Sequence, residues 1–181
     1  MNRTIVLYQS KYGSAKKYAE WIKTALSCEM ADIKEYQGNL NDYEIIIFAG
    51  GIYAGGIGGI KHMKKLLGSF VKTPVLVFAV GAGPYDEKAI EQLKTRNLKD
   101  FPVTVTLFYG RGIYDEQAMN FKDRSLCRML RKSLMKKNPE TFEEPWMSGL
   151  VESNGEHSDW MNREYIKPLL AFVQDFLSQT K

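Results

Sequence analysis

The sequence predicts an α/β protein built on a doubly wound parallel sheet. Five strands run in the order 2-1-3-4-5 between two layers of helices. Three observations predict it. Short apolar, β-branched runs alternate with amphipathic helical stretches, the pattern of a parallel sheet covered on both faces. Three of those runs, at residues 5–8, 44–49 and 74–80, are almost continuously hydrophobic, as buried central strands are. Each is followed by a loop of glycines or small hydroxyl residues, where such a sheet places its ligand.

The first strand stops at Ser10, and the loop Ser10-Lys11-Tyr12-Gly13-Ser14 follows. A helix over residues 14–27 comes next, with Ala15, Tyr18, Ala19, Ile22, Ala25 and Leu26 on one face. A helix N-terminus offers unpaired N–H groups and a partial positive charge. It can therefore hold a phosphate without a basic side chain. Ser10, Lys11, Tyr12, Gly13, Ser14 and Ala15 are the candidate phosphate-binding residues. The spacing is neither the phosphate loop of nucleoside triphosphatases nor the glycine fingerprint of dinucleotide binders.

A weaker second strand is expected at residues 29–33. The third strand, 44–49, runs into Gly50-Gly-Ile-Tyr-Ala-Gly-Gly-Ile-Gly-Gly59, six glycines in ten residues. Glycine costs backbone entropy, so this density points to close approach of the backbone to a flat ligand. The fourth strand, 74–80, runs into Gly81-Ala-Gly-Pro-Tyr85. Each loop joins glycines to one tyrosine, which suits an isoalloxazine ring stacked by aromatics and bonded at its edge by backbone groups. The candidates are Gly51, Ile52, Tyr53, Ala54 and Gly55 from one loop. Gly81, Ala82, Gly83, Pro84 and Tyr85 come from the other. Tyr53 and Tyr85 are the expected flanking aromatics, and a carbonyl flip near Gly55–Gly56 is expected on flavin reduction. Helices are expected at 58–70 and 86–98, and the fifth strand at 103–109.

Residues 110–157 are too long for a simple connection. They form an insert within a single domain spanning 1–181. The stretch 122–137 is helical and basic, with Lys122, Arg124, Arg128, Arg131, Lys132, Lys136 and Lys137 against Asp123. Leu126, Met129, Leu130 and Leu134 recur along it at helical spacing, and Pro139 ends it. The last helix is expected to be capped by Ser158 or Asp159. Pro168 should kink or split it near 164–167.

Composition narrows the function. The net charge is +4 and the sequence pI about 8.9. That disfavours an acidic electron shuttle and favours an acidic substrate, an anionic membrane surface or an acidic partner. Cys28 and Cys127 lack metal-ligand spacing and read as buried thiols in a reducing, cytoplasmic setting. His62 and His157 have no partner for a metal, and no metal is expected. With the first strand starting so soon after Met1, no leader is expected. No paired carboxylates and no Ser/His/Asp group compete for a catalytic role, so no catalytic side chain is assigned.

The loop after the first strand resembles the Ser/Thr-x-Thr-Gly-x-Thr loop of flavodoxins, and from residue 4 to about 109 the chain resembles that family. Two positions depart from it. Tyr12 stands where a small hydroxyl is usual, though its own hydroxyl could donate, and Ala15 replaces the last hydroxyl. The chain is similar, more narrowly, to the branch that includes menaquinone-dependent protoporphyrinogen dehydrogenase. That likeness rests on Ile52-Tyr53-Ala54-Gly55, on Phe108-Tyr-Gly-Arg-Gly112, on the basic insert, and on Ser158-Asp159-Trp160 before the last helix. The resemblance implies non-covalent FMN and flavin electron transfer. It also implies a porphyrinogen substrate of heme biosynthesis with a quinone acceptor, and insert contact with the inner face of a membrane. Arg111, Arg124, Arg128 and Arg131 would then pair the substrate carboxylates. Lys11, Lys16 and Lys17 flank the phosphate loop and are expected either to favour the anionic reduced flavin or to point to water. The alternative is an electron carrier between protein partners. A nucleic-acid-binding role for the basic helix lacks a motif and leaves the three loops unexplained. A signalling receiver domain would need acidic residues after the first strand, where Tyr8-Gln9-Ser10 has none.

Overall fold

The computed structural model describes residues 3–68 and 73–179. Eight strands follow one another among the described residues: β1 (Thr4–Gln9), β2 (Glu29–Asp32), β3 (Ile45–Tyr53), β4 (Gly56–Ile57), β5 (Val75–Gly81), β6 (Val105–Arg111), β7 (Ile113–Tyr114) and β8 (Ser158–Asp159). Six helices accompany them: α1 (Ser14–Leu26), α2 (Ile60–Leu67), α3 (Glu87–Leu98), α4 (Phe121–Leu134), α5 (Pro145–Glu152) and α6 (Lys167–Gln179). The main sheet has the order β2-β1-β3-β5-β6, all parallel. This is the 2-1-3-4-5 order expected of the five long strands.

Both faces of the central strands are buried, and the alternation along each strand assigns its side chains to two cores. Ile46, Phe48, Val75 and Val77 pack with Met63, Leu67, Leu93 and Leu98 from α2 and α3. Ile45, Ile47, Leu76 and Phe78 pack with Ala15, Tyr18, Ile22, Leu169 and Val173 from α1 and α6. The result is three layers, helix–sheet–helix. The insert adds a third core of Tyr114, Leu134 and Leu150.

Three expectations are corrected. The third strand does not stop at 49. It continues through Gly50 and Gly51 to Tyr53, then returns through β4, with Tyr53 opposite Gly56. The fifth strand begins two residues late and runs to Arg111, and Gly112 donates its N–H to Gly81 at 2.8 Å. Ser158 and Asp159 do not cap a helix. They pair as β8 with β7, tying the end of the insert to its beginning. The last helix is indeed divided. A 3-10 turn, Arg163–Ile166, precedes α6, and Pro168 falls in the first turn, where its missing N–H costs nothing. Residues 69–70 of the expected second helix lie outside the described residues.

Candidate functional site

At the carboxyl ends of β1, β3 and β5, where the strand order reverses, lies a cavity of about 660 Å³. Its size falls inside the range of about 300–1,000 Å³ typical of small-molecule sites. Of the predicted residues, Lys11, Tyr12, Ser14, Ala15, Gly51, Ile52, Tyr53, Ala54, Gly55, Gly81, Ala82, Gly83 and Pro84 line it. Ser10, Gly13 and Tyr85 lie off its lining. Tyr85 is 64% exposed, and its ring centroid is 6.3 Å from that of Tyr109.

The phosphate loop turns on Gly13, whose φ of 96° lies in the left-handed region that glycine enters freely. No side chain caps α1, so its first N–H groups are open to a ligand. Ser10 Oγ accepts from the Gly13 N–H at 3.0 Å, and Ser14 Oγ accepts from the Ile113 N–H at 2.9 Å. Both hydroxyls act as acceptors in these bonds, so each keeps a proton to donate to a phosphate. Tyr12 is different. Its hydroxyl donates to the Asp123 carboxylate from α4, so that proton is engaged within the protein. Lys11 is turned the same way, its ammonium paired with Asp123. Lys17 pairs with Glu20 at 3.5 Å, and Lys16 lies 6.0 Å from the centroid of the Tyr8 ring.

The ring loop is a tight hairpin. Ala54 and Gly55 have φ of 49° and 75°, the two positive values of a type I′ turn. An alanine held there costs about 1–2 kcal/mol, so the loop stores strain beside the cavity. Asn97 on α3 pins it, accepting from the Ile57 N–H at 2.9 Å and donating to the Gly55 carbonyl at 3.1 Å. A carbonyl flip at Gly55–Gly56 would have to break that second bond. Tyr53 lies back over Gly51, where a Cβ would stand 2.7 Å from the phenol oxygen. The Lys11 N–H donates to that oxygen at 3.3 Å, joining the two loops.

The second wall comes from the insert, a contribution sequence reasoning missed. Met119, Leu126, Cys127 and Leu130 reach the cavity from α4 and the turn before it, and Trp146 and Leu150 from α5. Helix α5 packs backbone to backbone against the β5 loop. A Cβ on Gly149 would sit 2.6 Å from the Ala82 carbonyl oxygen, and one on Gly83 would sit 2.5 Å from Pro145. The available signal was the Pro145-Trp-Met-Ser-Gly149 stretch, with a glycine inside a short helix. Tyr109 fastens the same loop by donating to the Gly83 carbonyl at 2.5 Å. Burial holds the Tyr109 phenol well above its ordinary range, so it stays a donor.

The four arginines assigned to a substrate are engaged by the protein itself. Arg111 donates to the Ala82 carbonyl at 3.1 Å and to Glu152 at 2.8 Å, with its guanidinium 4.1 Å from the Trp160 ring centroid. Arg124 donates to the carbonyls of Glu116, Gln117 and Met119 at 2.7–2.9 Å. Arg128 and Arg131 both pair with Glu116, at 3.1 and 3.0 Å. These contacts build the insert. For Arg128 and Arg131 the physical reason is the burial of Glu116 at 1% exposure, which requires cations around it. The two cysteines are half-buried and unpaired, and burial pushes the Cys28 thiol up to about 11.

The family model described as a flavodoxin domain matches residues 5–141. The chain belongs to the flavodoxin domain family. Membership supports FMN as the cofactor. The residues present fit it: an uncapped helix N-terminus with the Ser14 hydroxyl on the cavity lining and Ser10 in the turn before it for the phosphate, and two glycine loops bordering the cavity for the ring.

Among solved structures, a flavoprotein from Lactobacillus acidophilus in complex with FMN shares 17% identity over 61% of this chain and 93% of its own, with a TM-score of 0.42. An archaeal flavodoxin shares 16% over 70% and 92%, at 0.43. A Bacillus anthracis azoreductase shares 9% over 84% and 97%, at 0.46. Likeness at this level says nothing about activity. No curated protein matches the chain. Among the described residues, no helix is long and apolar enough to cross a membrane, and no group of His, Cys, Asp and Glu could hold a metal ion.

Proposed function

We propose that this flavodoxin-family chain is an FMN-dependent oxidoreductase with a substrate of its own, not a carrier between proteins. The apolar wall that the insert builds across the cavity carries the reading. A shuttle needs only an exposed ring edge, whereas α4 and α5 place Leu126, Leu130, Trp146 and Leu150 around a volume that a second small molecule can share. Bound FMN supplies reversible uptake of two electrons, singly or as hydride. The protein holds the phosphate through Ser10, Ser14 and the α1 amides. It borders the ring with Tyr53 and the hairpin of Ala54 and Gly55. The insert excludes water from that face.

The finer reading within this class is a porphyrinogen as donor and a quinone as acceptor. The apolar wall supports it. So does the outer face of α4, where Phe121, 84% exposed, and Met129 stand among Lys122 and Lys132, as membrane-surface helices present themselves. The arginines first assigned to the propionates no longer argue for it. The test is anaerobic mixing of FMN-loaded protein with protoporphyrinogen, followed at the flavin band near ~450 nm. Bleaching at a rate set by substrate concentration supports the reading. A band that bleaches only with a chemical reductant removes the porphyrinogen reading and leaves an electron carrier or an enzyme for another substrate.

A further inference from the structure

The cations lining the cavity are Lys11 and Arg96. Lys11 is neutralised by Asp123. Arg96, in the last turn of α3, has no hydrogen bond and no ion pair among the described residues. Its guanidinium lies against the ring-loop hairpin. A Cβ at Gly55 would collide with its Nη1 and stand 3.1 Å from its Cζ, so only glycine leaves it this place. Arg96 is exposed, and the hairpin backbone it lies against is fixed by the neighbouring Asn97, which bonds both sides of it. Of the carboxylates on the lining, Asp86 accepts the Ala89 N–H at 2.8 Å to cap α3, and Asp123 is held by Lys11 and Tyr12. Glu144 stands on the other wall, at the start of α5. Apolar side chains share the lining with Arg96 and Gln92: Ile90 and Leu93 on the same helix, and Trp146 and Leu150 from the insert.

An unpaired guanidinium at the rim of an apolar chamber is a recognition element for a carboxylate or sulfonate, which it can bind through two parallel hydrogen bonds. We infer that Arg96 anchors the acidic group of a planar, largely apolar substrate, whose body lies between α3 and the Trp146 wall. The inference rests on the reading that the cavity admits a substrate, and it relocates the anion site from the insert to α3. The arginines of the insert are spent on Glu116 and on backbone carbonyls. Arg96 is the lining cation left for a ligand.

The test reads binding without turnover. FMN-loaded protein is titrated with naphthalene-2-sulfonate and, separately, with neutral naphthalene-2-methanol, by calorimetry and by perturbation of the flavin band. The wild type is expected to bind the sulfonate more tightly. Arg96→Gln should weaken the sulfonate by at least about tenfold, the loss of one charge-assisted bond, and leave the alcohol within about twofold. Arg96→Lys should recover part of the affinity, since it keeps the charge and loses the fork. Equal affinity of the wild type for the two ligands overturns the inference. So does an unchanged sulfonate affinity in Arg96→Gln, or a parallel loss of both ligands. Loss of FMN from both variants overturns it too, since Arg96 would then serve the cofactor. Selective sulfonate binding with no turnover of any porphyrinogen or quinone would leave this inference standing while removing the porphyrinogen and quinone reading.

Discussion

The hydroxyl of Tyr12, in the phosphate loop, donates a hydrogen bond to the carboxylate of Asp123, on the insert helix α4. Lys11 pairs with the same oxygen, and Asn120 Nδ2 donates to it at 3.3 Å. The insert is thus latched onto the loop that holds the phosphate. The Lys11 bond, then the Tyr12 bond, holds the Asp123 carboxyl below its ordinary value of 3.8. A depressed carboxyl stabilises the fold above its unfolded-state value, and that contribution is lost as pH falls through the lower folded value. The latch is therefore complete at neutral pH and opens below about pH 4. Asp123→Asn should raise the amide exchange of α4 at pH 7. It should cost about 1 kcal/mol or less in global stability, since the carboxylate is partly exposed. Unchanged exchange across α4 would reject the latch.

Glu116 is the second support of the insert. Burial opposes its charge, but bonds from Arg131, Tyr114 and Arg128 outweigh it and hold the carboxyl below its ordinary value of 4.5. This contribution too is present at neutral pH and is lost as pH falls below about 4.5. Glu116→Ala leaves the largely buried Arg131 without its partner, and breaking such a pair costs about 3–5 kcal/mol. We expect about 3 kcal/mol by urea denaturation, because the guanidinium of Arg128 is half exposed and can be solvated. A loss under about 1 kcal/mol would mean that water replaces the carboxylate.

Ser14 is expected to discriminate cofactors. Its hydroxyl proton is free for a phosphate while its oxygen holds the Ile113 N–H. Ser14→Ala should weaken FMN by about tenfold, the value of one hydrogen bond to a charged group, and change riboflavin, which lacks the phosphate, much less. Equal weakening of both, measured by quenching of flavin fluorescence, would place the effect in the β7 connection.

Gly149→Ala adds one methyl group where α5 meets the Ala82 carbonyl. Backbone cannot yield as a side chain does, so the helix must move. The expected cost is about 1–3 kcal/mol, together with weaker flavin binding, because the Ala82–Gly83 loop borders the ring site. A normal melting temperature with normal flavin affinity would show that α5 shifts freely.

The sequence by itself determined the sheet. Residues such as Ile45, Ile46 and Ile47 are apolar on both sides of a strand, and only a parallel sheet between helix layers buries both. It also located the three loops, because a glycine run after Phe48 and a hydroxyl turn after Tyr8 are local signals of backbone geometry. It did not determine what the arginines do. Arg124 and Arg131 look alike along a helix, and nothing in their spacing shows that three carbonyls await one and Glu116 the other. Tyr12 and Asp123 are 111 positions apart, and Ser14 and the Ile113 that it holds are 99 apart. Ser158 and Asp159 carry the chemistry of a helix cap, yet pairing with Ile113 and Tyr114 across the insert satisfies their backbone instead. Local propensity decides an element. Which charged side chain meets which partner depends on long-range packing, and only the tertiary structure decided that.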